Sequence, residues 1–169
     1  FYDWDFLFIK TPDIHGNVYV LETQDRLSEI WYNSQINKTI PKNSICVSCI
    51  WTVGAVCITS QDSQTNQQIN SIICNDEFYH EYIYYSVLNI SNYLVKISNI
   101  TTLPIINKTD FENLKLTLPN FSDQKKISKI LRLHAKTHYQ IIIVILLLKT
   151  NAQNFKKMSS LLKLRGVKL

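Results

Sequence analysis

The most reactive side chains of this sequence include four cysteines, two of which have a spacing typical of metal ligands. Cys46 and Cys49 form a Cys-x-x-Cys pair, with Cys57 and Cys74 downstream. Two such pairs at suitable spacing can hold Zn²⁺. The pair lies in an apolar run that predicts a strand, where side chains three positions apart point to opposite faces. We therefore expect buried, reduced thiols and no metal site.

Two histidines, His134 and His138, lie four residues apart, so a helix would place both imidazoles on one face, as in zinc metalloproteases. Those enzymes need a glutamate beside the first histidine as general base, and Ala135 stands there instead. Hydrolysis by this motif is excluded. We expect the two histidines to hydrogen-bond across a pair of helices, with a pH-sensitive interface as the alternative.

Other catalytic signatures are incomplete. With three glycines, the sequence contains no Gly-x-x-x-x-Gly-Lys-Ser/Thr phosphate-binding loop. Pro12-Asp13 matches the start of a nuclease motif, but Glu112-Asn-Leu-Lys115 has the wrong spacing to complete it. Residues 118–121 carry one proline where methyltransferases use a Pro-Pro dipeptide. We expect no catalytic residue in this chain and no cofactor bound by the chain itself.

Residues 1–121 are predicted to form a small mixed domain rich in short strands. Residues 76–88 are aromatic-rich, with apolar side chains at intervals of three and four, and predict a helix. Residues 27–36 fit either a short helix or irregular structure. Apolar and alternating runs predict strands at 7–10, 18–21, 45–51, 55–59, 68–74, 94–97 and 109–118, where Pro119 ends the last one.

Residues 122–169 predict one long helix, so the fold class is α+β. Ser122 is expected to cap the helix, with Asp123 adding negative charge near its positive end. From Ile127, alternating steps of four and three residues reach mainly apolar side chains, which is typical of a coiled coil. We expect this helix to pair through Ile127, Leu131, His134, His138, Ile141, Ile145, Leu148, Phe155 and Leu162.

The apolar run 141–148 is far shorter than the roughly 20 residues that cross a bilayer. We interpret it as a buried stretch of the long helix.

Charge separates the two parts of the chain. Residues 1–121 carry seven basic and twelve acidic side chains, a balance of −5, whereas residues 122–169 carry eleven and one, a balance of +10. The basic helix could bind a polyanion or an acidic protein surface; the alternative is that its charges form a solvated face. The first part lacks the basic surface of a nucleic-acid binder.

Several short motifs occur in a specific order. Phe8-Ile-Lys-Thr-Pro-Asp-Ile14 is followed by the turn Ile40-Pro-Lys-Asn-Ser-Ile45, then by Thr52-Val-Gly-Ala-Val-Cys-Ile58 and Thr65-Asn-Gln67. The series ends with two longer motifs, Leu116-Thr-Leu-Pro-Asn-Phe-Ser-Asp-Gln-Lys-Lys-Ile-Ser-Lys-Ile-Leu131 and Ser160-Leu-Leu-Lys-Leu-Arg-Gly-Val-Lys168. This order resembles the specificity subunit of type I restriction–modification systems, as one target recognition domain followed by one conserved helical region.

The sequence departs from this family at identifiable positions. Trp51 stands where the family usually has the first glycine of a Gly-Thr-x-Gly turn, and Asp123 replaces the usual glutamate before Gln124. Leu164-Arg165 interrupts the usual Leu-Thr-Gly ending. Family members normally carry two recognition domains and two helices. The resemblance therefore implies a half subunit, a truncated product or an excised domain.

The resemblance implies a non-catalytic, cytoplasmic component that reads duplex DNA. Its expected partners are methyltransferase subunits, a motor–nuclease subunit, and a second recognition domain or second copy paired through the helix. S-adenosylmethionine, ATP and Mg²⁺ would be bound by those partner subunits. Loop residues with planar or hydrogen-bonding groups are the candidates for base contacts: Lys10, Thr11, His15, Thr52, Gln64, Asn66 and Gln67. The alternatives are the recognition domain of a fused single-chain restriction–methylation enzyme, or a protein-interaction domain without a DNA role.

Overall fold

The computed structural model describes residues 6–14, 17–100 and 104–135. In these ranges the strands are β1 (Phe6–Ile9), β2 (Tyr19–Val20), β3 (Asp25–Leu27), β4 (Ile45–Ser48), β5 (Val56–Thr59), β6 (Ser63–Thr65), β7 (Ile69–Ile72), β8 (Asn99–Ile100) and β9 (Pro104–Ile105). The α-helices are α1 (Glu29–Ser34), α2 (His80–Asn89), α3 (Ser91–Ile97), α4 (Lys108–Glu112) and α5 (121–135), and two 3-10 turns cover Thr11–Asp13 and Ile36–Lys38. The mixed architecture with short strands is confirmed.

Two small sheets carry the fold. One has the strand order β2-β5-β4-β7 and the other the order β3-β1-β6, while β8 and β9 form a separate ribbon. Strand β4 is central, with antiparallel partners on both sides, and all four of its residues are buried. A strand covered on both faces carries a continuous apolar run instead of an alternating one, which explains the Ile-Cys-Val sequence.

Alternation along β4 divides the hydrophobic core into two clusters. Ile45 and Val47 pack in the larger cluster with residues of α2, including Ile83. Cys46 packs with its cross-strand partner Cys57 in the smaller cluster. Because Cys49 lies in the larger cluster, the Cys-x-x-Cys pair is split between the two faces of the strand.

The prediction of a strand at 94–97 is wrong, because these residues belong to α3, with Leu94 fully buried against the larger cluster. The predicted strand at 109–118 is also wrong. Asn107 caps α4 by accepting a hydrogen bond from the Asp110 amide at 2.8 Å, so the chain is helical there. Beyond α4, residues 114–118 are not paired in a sheet. Leu114 and Leu116 nevertheless face the core, as their alternation predicted.

The segment 27–36 contains α1, and the Ser28 hydroxyl accepts a hydrogen bond from the Trp31 backbone amide at the N-terminus of this helix.

Helix α5 has a different cap from the predicted Ser122. Asn120 Oδ1 accepts from the Asp123 amide at 3.0 Å, and Asn120 Nδ2 donates to the Asp123 carboxylate at 2.8 Å. This reciprocal pair places Ser122 inside the first turn, where its hydroxyl cannot act as the cap.

The chain divides into one compact unit from Phe1 to Ser128 and a second from Lys129 onward. The start of α5 therefore belongs to the first unit. Within the part of the chain that the structure describes, no helix is long and apolar enough to cross a membrane.

Candidate functional site

The topology brings together the loop residues that follow two neighbouring strands. Strand β1 runs parallel to β6, with Ile9 opposite Thr65, so both strands end at the same edge of their sheet. Lys10 and Thr11 therefore lie beside Asn66 and Gln67. The Asn66 amide donates to the Ile9 carbonyl at 3.2 Å, which closes the contact between the two loops.

Most of these loop side chains are already engaged within the protein. Lys10 forms an ion pair with Asp25. The Thr11 hydroxyl and Asn66 Nδ2 donate to Gln68 Oε1, at 2.9 and 3.0 Å. The backbone N–H of Gln68 donates a hydrogen bond to Asn66 Oδ1 at 3.1 Å. These contacts give Thr11 and Asn66 a structural role in holding the loops.

Gln64 is also built into the fold, because it is only 4% exposed. Its Nε2 donates to the carbonyl oxygens of Tyr32 and Gln35, both at 3.0 Å, and to Thr39 Oγ1 at 3.2 Å. The side chain thereby joins β6 to the end of α1. Gln64 is therefore a strand residue and not the exposed loop residue that the sequence predicted, and its contact with a base stays a prediction.

Beside these loops lies a cleft of about 550 Å³. Helix α1 supplies Trp31 to its wall, and Gln67 lines the opposite loop. Gln67 is exposed, and its side-chain amide has no partner among the described residues. Among the predicted base-contact residues that the structure describes, Gln67 combines an exposed position at this surface with a side-chain amide that has no protein partner in the described part of the chain. His15 lies outside the described residues.

Thr52 lies away from this cleft, in the turn that joins β4 to β5. Its hydroxyl is 3.1 Å from Ser48 Oγ, and its side chain is exposed. Trp51, which stands in a glycine position of the family motif, adopts a left-handed backbone with φ of 66°. Gly54 has φ of 86°, and a Cβ there would approach Ser91 to 3.1 Å.

Of the predicted helix-pairing residues, Ile127, Leu131 and His134 lie in the described part of α5, and all three are exposed. Ile127 is 37% exposed and Leu131 is 38% exposed. The other predicted pairing residues lie outside the described residues: His138, Ile141, Ile145, Leu148, Phe155 and Leu162. Pairing by this helix stays a prediction.

Gln124 is a positioning residue that the sequence analysis did not single out. It is 2% exposed, and its Oε1 accepts from the Tyr79 amide at 2.8 Å. Its Nε2 donates to the carbonyl oxygens of Glu77 and Pro119, at 3.2 and 3.0 Å. One side chain thus ties the first turn of α5 to the segment that leads into α2. Its place in the Asp-Gln pair of the family motif was the available clue.

Aromatic residues surround this joint. Phe121 packs edge-to-face on Tyr79, with 6.3 Å between ring centroids. Lys125 places its Nζ 4.4 Å from the Phe121 centroid, a cation–π geometry. The lysine side chain therefore covers apolar surface at the joint.

A polar network links β2 to α2. The Tyr19 hydroxyl donates to Glu81 Oε1 at 3.0 Å and lies 3.2 Å from His80 Nε2. Glu81 is buried. Burial lowers the pKa of His80, an effect that the Glu81 charge partly opposes.

Three of the four cysteines have raised pKa values, whereas the hydrogen bond with Cys57 lowers the pKa of Cys46. Burial raises the pKa of Cys49, and it raises the pKa of Cys74 to about 11. The hydrogen bond with Cys46, together with burial, raises the pKa of Cys57. In the described ranges, no group of three or more His, Cys, Asp or Glu side chains is placed to hold a metal ion.

Comparison with known proteins decides the family. A model of the type I restriction modification DNA specificity domain matches residues 7–147. The chain belongs to this family. The HindI type I restriction enzyme specificity subunit of Haemophilus influenzae is 42% identical over 137 residues, which cover 77% of this chain and 30% of that protein. The MjaIX specificity subunit of Methanocaldococcus jannaschii is 26% identical over 116 residues, covering 68% of this chain and 27% of that protein.

Solved structures share the fold. The HsdS subunit from Thermoanaerobacter tengcongensis superposes with a TM-score of 0.57 at 14% identity, covering 77% of this chain and 30% of that one. The S subunit of a type I system from M. genitalium gives a TM-score of 0.56 at 16% identity, covering 80% of this chain and 33% of that one. The chain thus spans about a third of the length of the specificity subunits it matches.

Proposed function

We propose that this chain is a DNA sequence-recognition component of a type I restriction–modification complex. The observation that carries the proposal is the specificity-domain match over residues 7–147, which covers most of the compact unit and the start of the helix. The loops after β1 and β6, with the adjoining cleft, form the surface that we assign to base contacts. The chain itself is non-catalytic in this proposal.

The charge distribution indicates how DNA affinity would be divided. In the first unit, Lys10, Lys108 and Lys126 form ion pairs with Asp25, Glu112 and Asp123. Residues 1–121 also carry a net charge of −5, whereas residues 122–169 carry +10, and the anionic phosphates of DNA are attracted to the positive part. We therefore assign most of the non-specific affinity to the basic residues after 122 and to partner subunits, and assign sequence selection to the recognition domain.

The proposed partners are methyltransferase subunits, which would bind S-adenosylmethionine, and a motor–nuclease subunit, which would use ATP and Mg²⁺. A second recognition domain, or a second copy of the chain, would pair through the long helix. Such a complex acts where the cell's DNA lies, so we expect the chain in the cytoplasm. Gln124 would hold the first turn of α5 against the segment that leads into α2.

Duplex binding tests the proposal. The full chain is mixed with a methyltransferase subunit, and its affinity for a pool of random duplexes is measured from about 50 to 200 mM salt. Enrichment of a defined sequence from the pool is the expected result, together with weaker binding as salt rises. If the assembled complex enriches no sequence at any salt concentration, the specificity function is wrong, and a protein-interaction role fits the acidic domain better.

Helix pairing is tested separately by solution mass. Leu131→Asp places a charge on the predicted pairing face and should shift the chain to the monomer. Leu133 is 57% exposed and lies on another face of the helix, so Leu133→Asp is the matched control and should leave the mass unchanged. Equal masses for the two variants would contradict pairing through this face.

A further inference from the structure

The cleft beside α1 contains a hydrogen-bond acceptor that the protein holds in place and does not use. Gln64 Nε2 has three acceptors around it, two of them backbone carbonyl oxygens. Carbonyl oxygens require a donor, so the orientation of the amide is fixed. No donor among the described residues reaches Gln64 Oε1. This oxygen is therefore preorganised, and its partner is missing from the described residues.

The free oxygen opens toward the cleft. In the described part of the chain, no fully buried side-chain oxygen or nitrogen lacks a partner. Since Gln64 Oε1 has no partner among the described residues, this atom must contact solvent, although only 4% of the residue is exposed. Gln64 lines the cleft, so that contact is made there.

An unpaired aromatic side chain forms part of the wall. Trp31 is 60% exposed and lines the same cleft, and no other ring of the described residues contacts it. Phe8 lines the cleft as well. An exposed indole beside a concave surface is a stacking platform for a planar ligand. The volume of about 550 Å³ falls in the range of sites that hold small organic groups.

Polar groups at the rim add a complementary donor and a cation. Gln35 lies next to Gln64, since its backbone carbonyl accepts from Gln64 Nε2 at 3.0 Å. The Gln35 side-chain oxygen accepts from Lys38 Nζ at 2.6 Å, which leaves Gln35 Nε2 available as a donor. The cleft therefore presents a fixed acceptor, a nearby donor, an aromatic face and one positive charge.

We propose that this cleft binds a single unpaired nucleobase that carries an exocyclic amino group, adenine or cytosine. The amino group would donate to Gln64 Oε1, the adjacent ring nitrogen would accept from Gln35 Nε2, and the ring would stack on Trp31. Stacking on Trp31 requires a base with an uncovered face, so the base must leave the duplex stack. The inference rests on the proposed function, since it takes DNA as the ligand.

The test uses the full chain and labelled duplexes that contain one unpaired nucleotide. Two pairs of probes differ only in the amino group: adenine against unsubstituted purine, and cytosine against pyrimidin-2-one. We expect a roughly tenfold affinity loss when the amino group of the bound base is removed, because the fixed oxygen then loses its partner. Trp31→Ala should weaken binding of the amino-bearing probe by about tenfold, and Trp31→Phe by much less.

Trp51→Ala is the matched control, because Trp51 is 61% exposed but lies in the β4–β5 turn outside the cleft. It should bind as the wild type does. Equal affinity within both probe pairs, or equal effects of Trp31→Ala and Trp51→Ala, would overturn the cleft assignment while duplex recognition stands. If no duplex binds even with methyltransferase subunits present at low salt, both the cleft assignment and the proposed function are wrong.

Discussion

Removal of the Gln124 side chain should weaken the attachment of helix α5 to the recognition domain. In Gln124→Ala, the Tyr79 amide loses this acceptor, and the Glu77 and Pro119 carbonyl oxygens lose their donor. The side chain is 2% exposed, so water reaches these groups only if the joint opens. In the variant, either these polar groups stay buried without hydrogen bonds, or the start of α5 separates locally and lets water reach them.

The expected loss follows from three hydrogen bonds. Each contributes a net of roughly 1 kcal/mol to stability, and a buried group left without a partner costs about 1–3 kcal/mol. Three lost bonds with partial rehydration therefore lower the free energy of unfolding by about 3 kcal/mol. For a unit of this size, that corresponds to a fall in melting temperature of roughly 10 °C.

Urea titration of the full chain, followed by circular dichroism, measures this loss. Hydrogen exchange at the Tyr79 amide reports on the joint itself and should become faster in the variant. Gln67→Ala is the matched control, since it removes the same side chain from an exposed position. Its effect should stay within about 0.5 kcal/mol.

A second substitution separates hydrogen bonding from packing. Gln124→Glu keeps an acceptor for the Tyr79 amide but directs a carboxylate oxygen at the Glu77 and Pro119 carbonyls. At neutral pH we expect it to be at least as destabilising as alanine, because the second carboxylate oxygen is buried against two carbonyl oxygens and has no donor there. If Gln124→Ala and Gln67→Ala unfold at the same urea concentration and Tyr79 exchanges at the wild-type rate, the assignment of Gln124 as the joint is refuted.

Four further substitutions test particular features of the fold. Trp51→Gly should raise the free energy of unfolding by about 0.5–1 kcal/mol in urea titrations, because glycine relieves the left-handed backbone, and a lower midpoint would contradict this. Asn120→Ala should cost about 1 kcal/mol while Ser122→Ala costs little, since Asn120 is the cap, and the reverse order would restore Ser122 as the cap. In the wild type, acidification from pH 7 to 5 should destabilise the fold, because burial lowers the pKa of His80 and the unfolded chain takes up the proton first. His80→Gln should show a flatter dependence, and parallel curves would rule out this contribution.

Sequence patterns predicted the elements that carry their own apolar signal. Side-chain periodicity predicted three features: the continuous apolar run in β4, the helical spacing of apolar residues in α2, and the placement of Cys46 and Cys49 on opposite faces. The inward direction of Leu114 and Leu116 was also predictable. Their strand was not formed, because α4 uses the preceding residues and leaves this segment without a pairing partner.

Strand β6 shows why other elements could not be predicted. Its sequence, Ser-Gln-Thr, is polar, and it is a strand because it pairs with β1. Its burial therefore depends on a contact between residues far apart in the chain. The same dependence hid the role of Gln64, which looked like a loop amide and is instead held by carbonyl oxygens of α1 and the residue that follows it.

The distribution of charge and the location of the free polar groups lead to one expectation for the assembled complex. Three lysines of the first unit are in ion pairs, while Gln64 Oε1 and the Gln67 amide have no partner in the described residues. Uncharged contacts of this kind select a base without releasing counterions, whereas lysine–phosphate contacts set the salt dependence. Gln67→Ala should therefore alter which sequences the complex prefers and leave the slope of affinity against salt unchanged. Because phosphate contacts act on every sequence alike, a changed slope with an unchanged preference would place Gln67 at the DNA backbone and not at a base.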